Sequence, residues 1–531
     1  MIRRIYFILS FALICSLSAS AQQSSSFSAY KFVRFLQYLS SDYVDTVNPN
    51  RMVDEAIVSM LEKLDPHSVY ISKDEVRAMN EPLEGNFDGV GVEFNIMNDT
   101  LMVVNPIVGG PSERVGILAG DRFINIDGKN VAGIGLKNSD VFKYLRGPKG
   151  TKVNIQVKRK AQSQLLDFTV TRDKIPIFSI DASYMIDSKI GYIKLSRFAQ
   201  TTEQEFNDAV KELKQQKMKD LILDLRGNGG GMLNTPIELA DQFLDNGKLI
   251  VYTEGRATPR TDFVSTSRGE LEKAHLVILI DEGSASASEI LSGAIQDWDR
   301  GIIVGRRSFG KGLVQNQMPL PDGSMIRLTI ARYHTPTGRA IQKPYNNGSI
   351  DKYYDDINDR YNKGEFFSMD SIKLPENLKY KTLLKGKTVY GGGGIIPDIF
   401  VPLDTADYSE YYGRLVRAAV LNQYYLLWLD KNRDQMIKDY PKFEKYNKKF
   451  EVSDQMIEEL VALGETRKIK RDEAGLSVSK REIKKQLKGL ISQSIYTNSK
   501  YFEIINQDNN AFLKAIEILN SWDNYKYLVK E

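Results

Sequence analysis

Apolar residues recur at helical spacing near the start of the chain, which predicts an N-terminal helical region over residues 22–84. Aromatic and aliphatic residues keep this spacing through residues 28–44. A second helix is expected after Asn48, because asparagine can cap a helix and Pro49 suits its first position. This part of the chain is therefore expected to be helical.

Residues 85–172 change to short strands separated by turns, which predicts a separate β-domain. A hairpin turn is expected at Asp127-Gly128, and closing strands are expected over residues 151–157 and 165–171. Asn138 can cap the helix that interrupts this pattern.

Alternating strands and helices then predict an α/β core over residues 173–405. Continuous apolar runs, which suit buried strands, lie at residues 191–195, 221–225, 276–280 and 302–304. Residues 345–385 are rich in tyrosine and charge and lack clear periodicity, so we interpret them as an insertion. The fold class expected for the whole chain is multidomain α+β.

The spacing becomes helical again over residues 406–531, which are expected to form a C-terminal helical region of open role. Ser479 and Glu482 have capping-box spacing and predict the start of one of its helices. Residues 467–488 hold nine basic and three acidic residues. Because acids are interleaved and helical periodicity is present, we interpret this segment as a solvated helix face rather than an anion site.

The composition is that of a soluble globular protein, with 42% hydrophobic and 26% charged residues. The formal net charge of +4 is too small to indicate a nucleic-acid partner. Three scattered histidines and a single cysteine leave little from which to build a metal-ligand cluster. We therefore expect no metal and no cofactor.

The N-terminus has the pattern of an export signal. Arg3-Arg4 precede an apolar run over residues 5–17 and small residues at 19–21, so residues 1–21 are predicted to be a signal peptide. Cys15 lies inside this run and is not preceded by the small residue that lipidation requires. We expect a periplasmic protein that meets the membrane only during export, with an uncleaved N-terminal anchor as the alternative.

A turn of small residues, Gly283-Ser284-Ala285-Ser286-Ala287-Ser288-Glu289, lies between an apolar strand and an amphipathic helix. At such a junction the first helical N–H groups have no partner in the helix, and with the helix dipole they favour negative charge. A serine there can act as a nucleophile if a base takes its proton. The position alone leaves the three serines as rivals.

Lys311 is the candidate base, because no histidine lies close to the serine turn in the sequence. A lysine acts as a base only when neutral, so burial must lower its pKa from the reference value of about 10.4. Phe309, Leu313 and Val314 are apolar neighbours that fit such a site. Gln315 lies four residues after Lys311, so in an extended stretch both side chains share a face and the amide can orient the amine.

The serine turn and the segment Phe-Gly-Lys-Gly-x-Val-Gln together resemble the carboxy-terminal processing peptidases, also called tail-specific proteases. The resemblance covers about residues 51–403 and includes the stretch 224–231, in which Gly229 replaces the family's proline. It implies an endopeptidase that cleaves proteins near their C-termini on a crotonase/Clp-protease-like α/β core. The implied catalytic residues are Ser286, Lys311 and Gln315, and the implied oxyanion donors are the N–H groups of Gly231 and Ala287.

Residues 85–172 are similar to a PDZ domain, with Gly89, Val90, Gly91 and Val92 in the place of its carboxylate-binding loop. Backbone N–H groups in such a loop can hold a terminal carboxylate while the peptide adds a strand to the sheet. The expected partners are proteins or peptides bound by their C-terminus. The family resemblance also implies a possible homodimer through the N-terminal helices.

Several alternatives stay open. His334 is the only other credible base, and we interpret both it and His67 as structural residues. A phosphate-binding loop is disfavoured, because the lysine and hydroxyl that it needs are absent after the glycines. For the whole protein, the alternatives are a catalytically inactive PDZ scaffold and a crotonase-like acyl-transfer enzyme.

Overall fold

The computed structural model describes residues 27–160, 162–345 and 350–530, and the predicted signal peptide lies outside them. The described chain divides into two compact units. The smaller unit holds residues 27–73, 316–329, 345 and 350–353, and the larger unit holds the remainder. Among the described residues, no helix is both long enough and apolar enough to cross a membrane.

The smaller unit contains the N-terminal helices and a short strand. These elements are α1 (residues 27–41), α2 (Pro49–Leu61) and β1 (Val69–Ile71). Asn48 caps α2 as predicted, because its Oδ1 accepts hydrogen bonds from the N–H groups of Asn50 at 3.1 Å and Arg51 at 3.2 Å. His67 is buried, and its Nε2 lies 3.1 Å from the Tyr353 hydroxyl, as expected of a structural residue.

Helix α3 (Lys73–Glu84) leads into an antiparallel β-domain. Its elements are β2 (Asn86–Gly89), β3 (Val92–Met97), β4 (Thr100–Pro106), α4 (Pro111–Arg114), β5 (Arg122–Ile126), β6 (Lys129–Asn130), α5 (Asn138–Leu145), β7 (Lys152–Lys158), β8 (Leu166–Thr171) and β9 (Asp173–Pro176). The main sheet has the order β3-β4-β5-β7-β8, so β3 lies at one edge. Strands β2 and β9 pair with each other where the chain enters and leaves the domain.

The α/β core is built on a six-stranded sheet. The elements of this part of the chain are β10 (Ile180–Met185), β11 (Ile190–Leu195), α6 (Thr202–Gln215), β12 (Asp220–Asp224), α7 (Asn234–Asp241), β13 (Leu249–Glu254), β14 (Thr261–Val264), β15 (His275–Ile280), α8 (Ala287–Asp297), β16 (Ile302–Gly305), β17 (Leu313–Pro319), β18 (Met325–His334), α9 (Ile350–Asn362), β19 (Lys379–Lys381), β20 (Thr388–Tyr390) and β21 (Ile399–Phe400). The sheet order is β10-β11-β12-β15-β16-β21, and the strands from β11 onward are parallel. Parallel sheets are covered on both faces, which explains the continuous apolar runs of their strands.

Part of the segment interpreted as an insertion is held by a buried charge as well as by the buried Phe366. The buried Arg360 of α9 donates hydrogen bonds to the backbone carbonyls of Arg307 at 2.7 Å and Ser308 at 3.0 Å. Its guanidinium also lies 3.2 Å from the carboxylate of Glu365. A hydrophobic pattern does not register such polar contacts.

Helices dominate the described C-terminal residues. They are α10 (Glu410–Arg417), α11 (Val420–Asp439), α12 (Phe443–Lys449), α13 (Asp454–Thr466), α14 (Glu473–Ile495), α15 (Asn498–Ile505) and α16 (Asn510–Asn520). The helix start predicted at Ser479 is wrong, because α14 begins after Asp472, whose side chain accepts a hydrogen bond from the Gly475 N–H at 3.0 Å. Ser479 lies inside α14 and donates instead to the hydroxyl of Ser409 at 2.8 Å. A tertiary contact thus replaces the cap that its spacing indicated.

Candidate active site

Ser286 lies where the chain turns from the loop after β15 into α8. Its backbone has φ 56° and ψ −111°, a conformation that costs a residue other than glycine about 1–3 kcal/mol. A sharp, strained strand-to-helix turn of this kind exposes a serine hydroxyl at the top of a sheet. Ser286 is partly exposed, and the first N–H groups of α8 follow it directly.

The contacts of Ser284 and Ser288 separate them from Ser286. Both are fully buried. The Ser284 hydroxyl donates to the carbonyl of Leu225 at 2.9 Å, and the Ser288 hydroxyl donates to the carbonyl of Asn228 at 2.8 Å. Hydroxyls committed to buried backbone cannot readily reach a substrate, so the geometry favours Ser286 among the three.

Glu289 is a buried carboxylate that joins the serine turn to the lysine segment. It accepts hydrogen bonds from the N–H groups of Ser286 at 2.8 Å, Lys311 at 2.9 Å and Gly310 at 2.7 Å, and from the Ser308 hydroxyl at 2.5 Å. Burial raises the pKa of Glu289, while these donors favour its charged form. The sequence analysis gave Glu289 no role, although Ser286 and Glu289 have capping-box spacing.

Tyr333 joins the same two segments through their carbonyl groups. Its ring is buried, and its hydroxyl contacts the carbonyl oxygen of Ser286 at 3.2 Å and that of Lys311. Its own N–H donates to the carbonyl of Gly312 at 3.0 Å. We call Glu289 and Tyr333 together the clasp, because each contacts the backbone of both Ser286 and Lys311. Tyr333 was not predicted to belong to the site, because the sequence around Tyr333 shows no pattern that indicates such a role.

Lys311 and Gln315 lie on one segment that enters β17. Both are partly buried, and Leu313 between them is buried. The Gln315 Nε2 donates to the carbonyl of Leu313 at 3.1 Å. The structure therefore brings the backbones of Ser286 and Lys311 together through shared partners and places Gln315 on the same segment as Lys311.

The glycine loop after β12 passes directly against the serine turn. An ideal Cβ on Gly230 would lie 2.8 Å from the Cβ of Ser286 and 3.0 Å from the Ala287 nitrogen. A Cβ on Gly231 would lie only 1.9 Å from the carbonyl oxygen of Phe198, with which Gly231 forms a β-bridge. Only glycine fits this approach. The loop thus passes against the Ala287 nitrogen at Gly230, the residue that precedes Gly231.

The loop formed by Gly89, Val90, Gly91 and Val92 connects β2 to the edge strand β3. The carbonyl of Val90 accepts hydrogen bonds from the Ser112 N–H at 3.0 Å and the Ser112 hydroxyl at 2.7 Å, which fixes the loop to α4. Beside β3, the half-exposed Phe142 of α5 packs edge-on against Phe94, with ring centroids 5.8 Å apart. A strand at the edge of a sheet next to a helix with apolar side chains is a geometry that accepts a peptide as an added strand.

His334 makes contacts of a structural residue. Its ring stacks on Tyr252 with centroids 4.7 Å apart and planes 6° apart. Its Nδ1 lies 3.1 Å from the carbonyl oxygen of Gly338, which fixes that nitrogen as the donor. These contacts agree with the interpretation of His334 as a structural residue.

Three family profiles match the chain. Peptidase family S41 matches residues 189–349, a PDZ domain matches residues 102–159, and DUF8443, a family of unknown function, matches residues 411–497. The first match lies largely on the α/β core and the second on the β-domain. The class of this protein is therefore a serine-type protease that carries a PDZ domain.

Named relatives refine the class. A carboxy-terminal-processing protease of Bartonella bacilliformis is 35% identical over 332 residues, covering 62% of this chain and 75% of that protein. The carboxy-terminal processing protease CtpA of Bacillus subtilis is 32% identical over 330 residues, covering 61% of this chain and 70% of that protein. On the extent of these two matches, the chain belongs to the carboxy-terminal processing proteases of peptidase family S41.

One similar solved structure is that of a photosystem II D1 C-terminal processing protease, which is 31% identical in sequence. The match covers 59% of this chain and 83% of that protease, with a TM-score of 0.35.

Proposed function

We propose that this protein is an exported endopeptidase that cleaves proteins near their C-termini, with Ser286 as nucleophile and Lys311 as base. The observation that carries the proposal is the setting of Ser286, which is strained and partly exposed. Its backbone and that of Lys311 contact the same two buried side chains, Glu289 and Tyr333. Shared partners of this kind hold two reacting groups at a fixed separation, which nucleophilic catalysis requires.

The reaction proceeds through an acyl-enzyme. The Ser286 hydroxyl oxygen attacks the scissile carbonyl carbon, and its proton passes to the neutral amine of Lys311. The protonated Lys311 then gives this proton to the leaving amine as the peptide bond breaks. Lys311 then takes a proton from a water molecule whose oxygen attacks the ester carbonyl carbon, and it returns that proton to the Ser286 oxygen as the ester bond breaks. Gln315 orients the Lys311 amine during these transfers.

The N–H groups of Gly231 and Ala287 stabilise the oxyanion of the tetrahedral intermediate. Ala287 is the first residue of α8, so its N–H has no partner within the helix. The approach of the glycine loop supports the second donor, since Gly230 and Gly231 have no room for a side chain. Removing one such donor typically costs about 10²–10³ in kcat.

The PDZ domain captures the substrate tail. The terminal carboxylate binds the N–H groups of the loop Gly89, Val90, Gly91 and Val92, and the tail pairs with the edge strand β3. Phe94 and Phe142 offer apolar contacts to tail side chains. Apolar tails are therefore the preferred ligands.

Export and dimerisation complete the proposal. The pattern of residues 1–21 supports cleavage after export to the periplasm. Exposed apolar side chains of α1 support a homodimer through the N-terminal helices; they are Phe27, Tyr30, Phe32, Val33, Phe35 and Tyr38. Light scattering on the mature protein should give the mass of a dimer, and Phe35→Asp should give a monomer. Intact mass of periplasmic material should show a chain that begins at Gln22.

The proposed activity is tested with a fluorophosphonate probe and an unfolded substrate that has a free apolar tail. Wild type should be labelled at Ser286 and should release C-terminal fragments, whereas Ser286→Ala should do neither. Ser288→Ala, a matched change two residues away, should keep measurable activity. A folded wild type that is neither labelled nor active would instead be a PDZ scaffold, and turnover of an acyl thioester would indicate acyl transfer.

A further inference from the structure

The C-terminal region supplies the second covering layer of the protease sheet. Helices α6, α7 and α8 pack against one face. On the other face, α16 packs against apolar side chains of β11, β12, β15 and β16; its buried residues are Ala511, Phe512, Ala515, Ile518 and Leu519. The start of α16 is therefore built into the same body as the catalytic loops.

Asp224 and Arg226 form a buried ion pair where β12 ends and the glycine loop begins. The guanidinium donates from Nε to Oδ1 at 2.9 Å and from Nη2 to Oδ2 at 2.6 Å. The Tyr192 hydroxyl donates to the same carboxylate at 2.7 Å. Burial alone would raise the pKa of Asp224, but the charges of Arg226 and Lys194 hold it below its usual range. The carboxylate thus fixes one side of Arg226.

Two asparagines of the C-terminal region hold the other side of Arg226. Its Nη1 donates to Oδ1 of Asn509 at 2.6 Å, and its Nη2 lies 3.5 Å from Oδ1 of Asn506. Asn506 is itself held, because its Nδ2 donates to the Tyr184 hydroxyl at 3.1 Å. The Asn509 Oδ1 also caps α16 by accepting from the Phe512 N–H at 3.0 Å. One amide oxygen therefore joins the start of α16 to Arg226.

The chain runs from Arg226 straight into the residues that meet the serine turn. The Gly227 N–H donates to Asp281 at 2.8 Å, and the Asn228 carbonyl accepts from the Ala285 N–H at 3.0 Å. Because these bonds are short-range and directional, a displaced Arg226 would shift the loop that ends at Gly231.

We propose that Asn506 and Asn509 are positioning residues that hold the glycine loop of the protease through Arg226. The inference rests on the proposed role of Gly231 as an oxyanion donor. It assigns the end of the C-terminal region a part in catalysis without contact to the substrate. Loss of these amides frees one side of the guanidinium while the pair with Asp224 persists.

The test compares Asn509→Ser with Asn509→Asp in the full-length protein. Serine is a good helix cap but is too short to reach Arg226. Aspartate caps the helix and can also accept a charge-assisted hydrogen bond from the Arg226 guanidinium. Asn509→Ser should lower kcat about tenfold with KM and melting temperature nearly unchanged, which is the signature of a lost transition-state interaction. Labelling by the fluorophosphonate should slow in parallel, and Asn509→Asp should restore both rates.

A double-mutant cycle with Arg226→Lys locates the effect. If Asn509 acts through Arg226, Asn509→Ser should lower kcat by less than about a further twofold in the protein that already carries Arg226→Lys. Three results would overturn the inference. They are a wild-type kcat in Asn509→Ser, a failure of Asn509→Asp to restore kcat, and a double variant whose loss equals the product of the losses of Asn509→Ser and Arg226→Lys. Ser286→Ala serves as the separate control, since cleavage by that variant would refute the proposed nucleophile and not the role of Asn509.

Discussion

The glycine loop that holds Gly231 and the PDZ glycine loop are both proposed to bind substrate backbone, yet their surroundings differ. In the catalytic loop, a Cβ on Gly231 would meet the Phe198 carbonyl oxygen at 1.9 Å. In the PDZ loop, a Cβ on Gly91 would lie 3.0 Å from the Ile175 Cδ1, 3.2 Å from the ring Cδ of Pro111 and 3.6 Å from the Gly110 Cα. The first loop is therefore in much tighter contact with backbone than the second, whose nearest neighbour is the flexible end of Ile175.

The two regions also differ in the side chains that surround them, which are polar at the serine turn and apolar beside β3. The serine turn is fixed by the clasp, which contacts the backbone of Ser286 and Lys311 from both the donor and the acceptor side. The PDZ edge strand β3 carries Phe94, which packs edge-on against Phe142 of the adjacent α5. Bond cleavage needs atoms held within about 0.5 Å, whereas capture of varied tails tolerates adjustment. Changes in the first region should therefore lower kcat, and changes in the second should raise KM.

The largest effect is expected for Lys311→Arg. Arginine keeps the charge but cannot lose its proton in a protein, so a base is lost while an ion-pair partner would be retained. We expect a loss of about 10³-fold or more in kcat, close to that of Lys311→Ala. Steady-state cleavage of an unfolded substrate measures this. Substantial activity in the arginine variant would refute the serine–lysine dyad.

Gly231→Ala should follow, with a loss of about 10²–10³ in kcat, because the loop must move away from Phe198 and carry an oxyanion donor with it. Gly229→Ala is the matched control. Gly229 has no atom within 4 Å of an added Cβ and no positive φ, so its kcat should stay close to that of wild type. Equal loss in both variants would show that the loop needs flexibility rather than close approach.

Tyr333→Phe tests the clasp with the removal of one hydroxyl. The ring still fills its place in the core, but the carbonyls of Ser286 and Lys311 lose their shared partner. We expect kcat to fall about 10- to 100-fold with KM unchanged. Tyr424→Phe, which removes a hydroxyl bonded to Glu459 in the C-terminal helices, is the control and should leave kcat intact. A wild-type kcat in Tyr333→Phe would argue against the clasp.

Amidation of the substrate tail tests the PDZ region and should have a smaller effect on the rate of cleavage. Charge-assisted bonds to the carboxylate are worth about 1.5–3 kcal/mol against about 1 for a neutral acceptor. We expect kcat/KM to fall about ten- to a hundredfold, mainly through KM. A tail ending in two aspartates should also be cleaved poorly. Equal cleavage of free, amidated and acidic tails would mean that the PDZ domain does not select its substrates.

The smallest effect is expected for His334→Ala. Its ring stacks on Tyr252 and binds a backbone carbonyl, so its loss should lower the melting temperature slightly and leave kcat within about threefold. A folded but inactive His334→Ala would revive a histidine mechanism.

Local patterns in the sequence were sufficient to predict much of this protein. Continuous apolar runs gave the parallel strands of the core, and Asn48 with Pro49 marked the start of α2. Ser286 and Lys311 were singled out because their short segments resemble those of the carboxy-terminal processing peptidases. Their roles stay predictions. The prediction at Ser479 failed where a tertiary hydrogen bond replaced the local signal, and α5 has Lys137 rather than the predicted Asn138 as its N-cap.

Only the tertiary structure determined how the site is held. Glu289 reaches the Lys311 segment across 22 residues, and Arg226 reaches Asn509 across 283 residues. Spacing rules describe neighbours within a helical turn or along a strand, and they do not specify which distant group will meet a buried donor. That choice depends on packing, because every buried polar group must find a partner among whatever the fold brings to it.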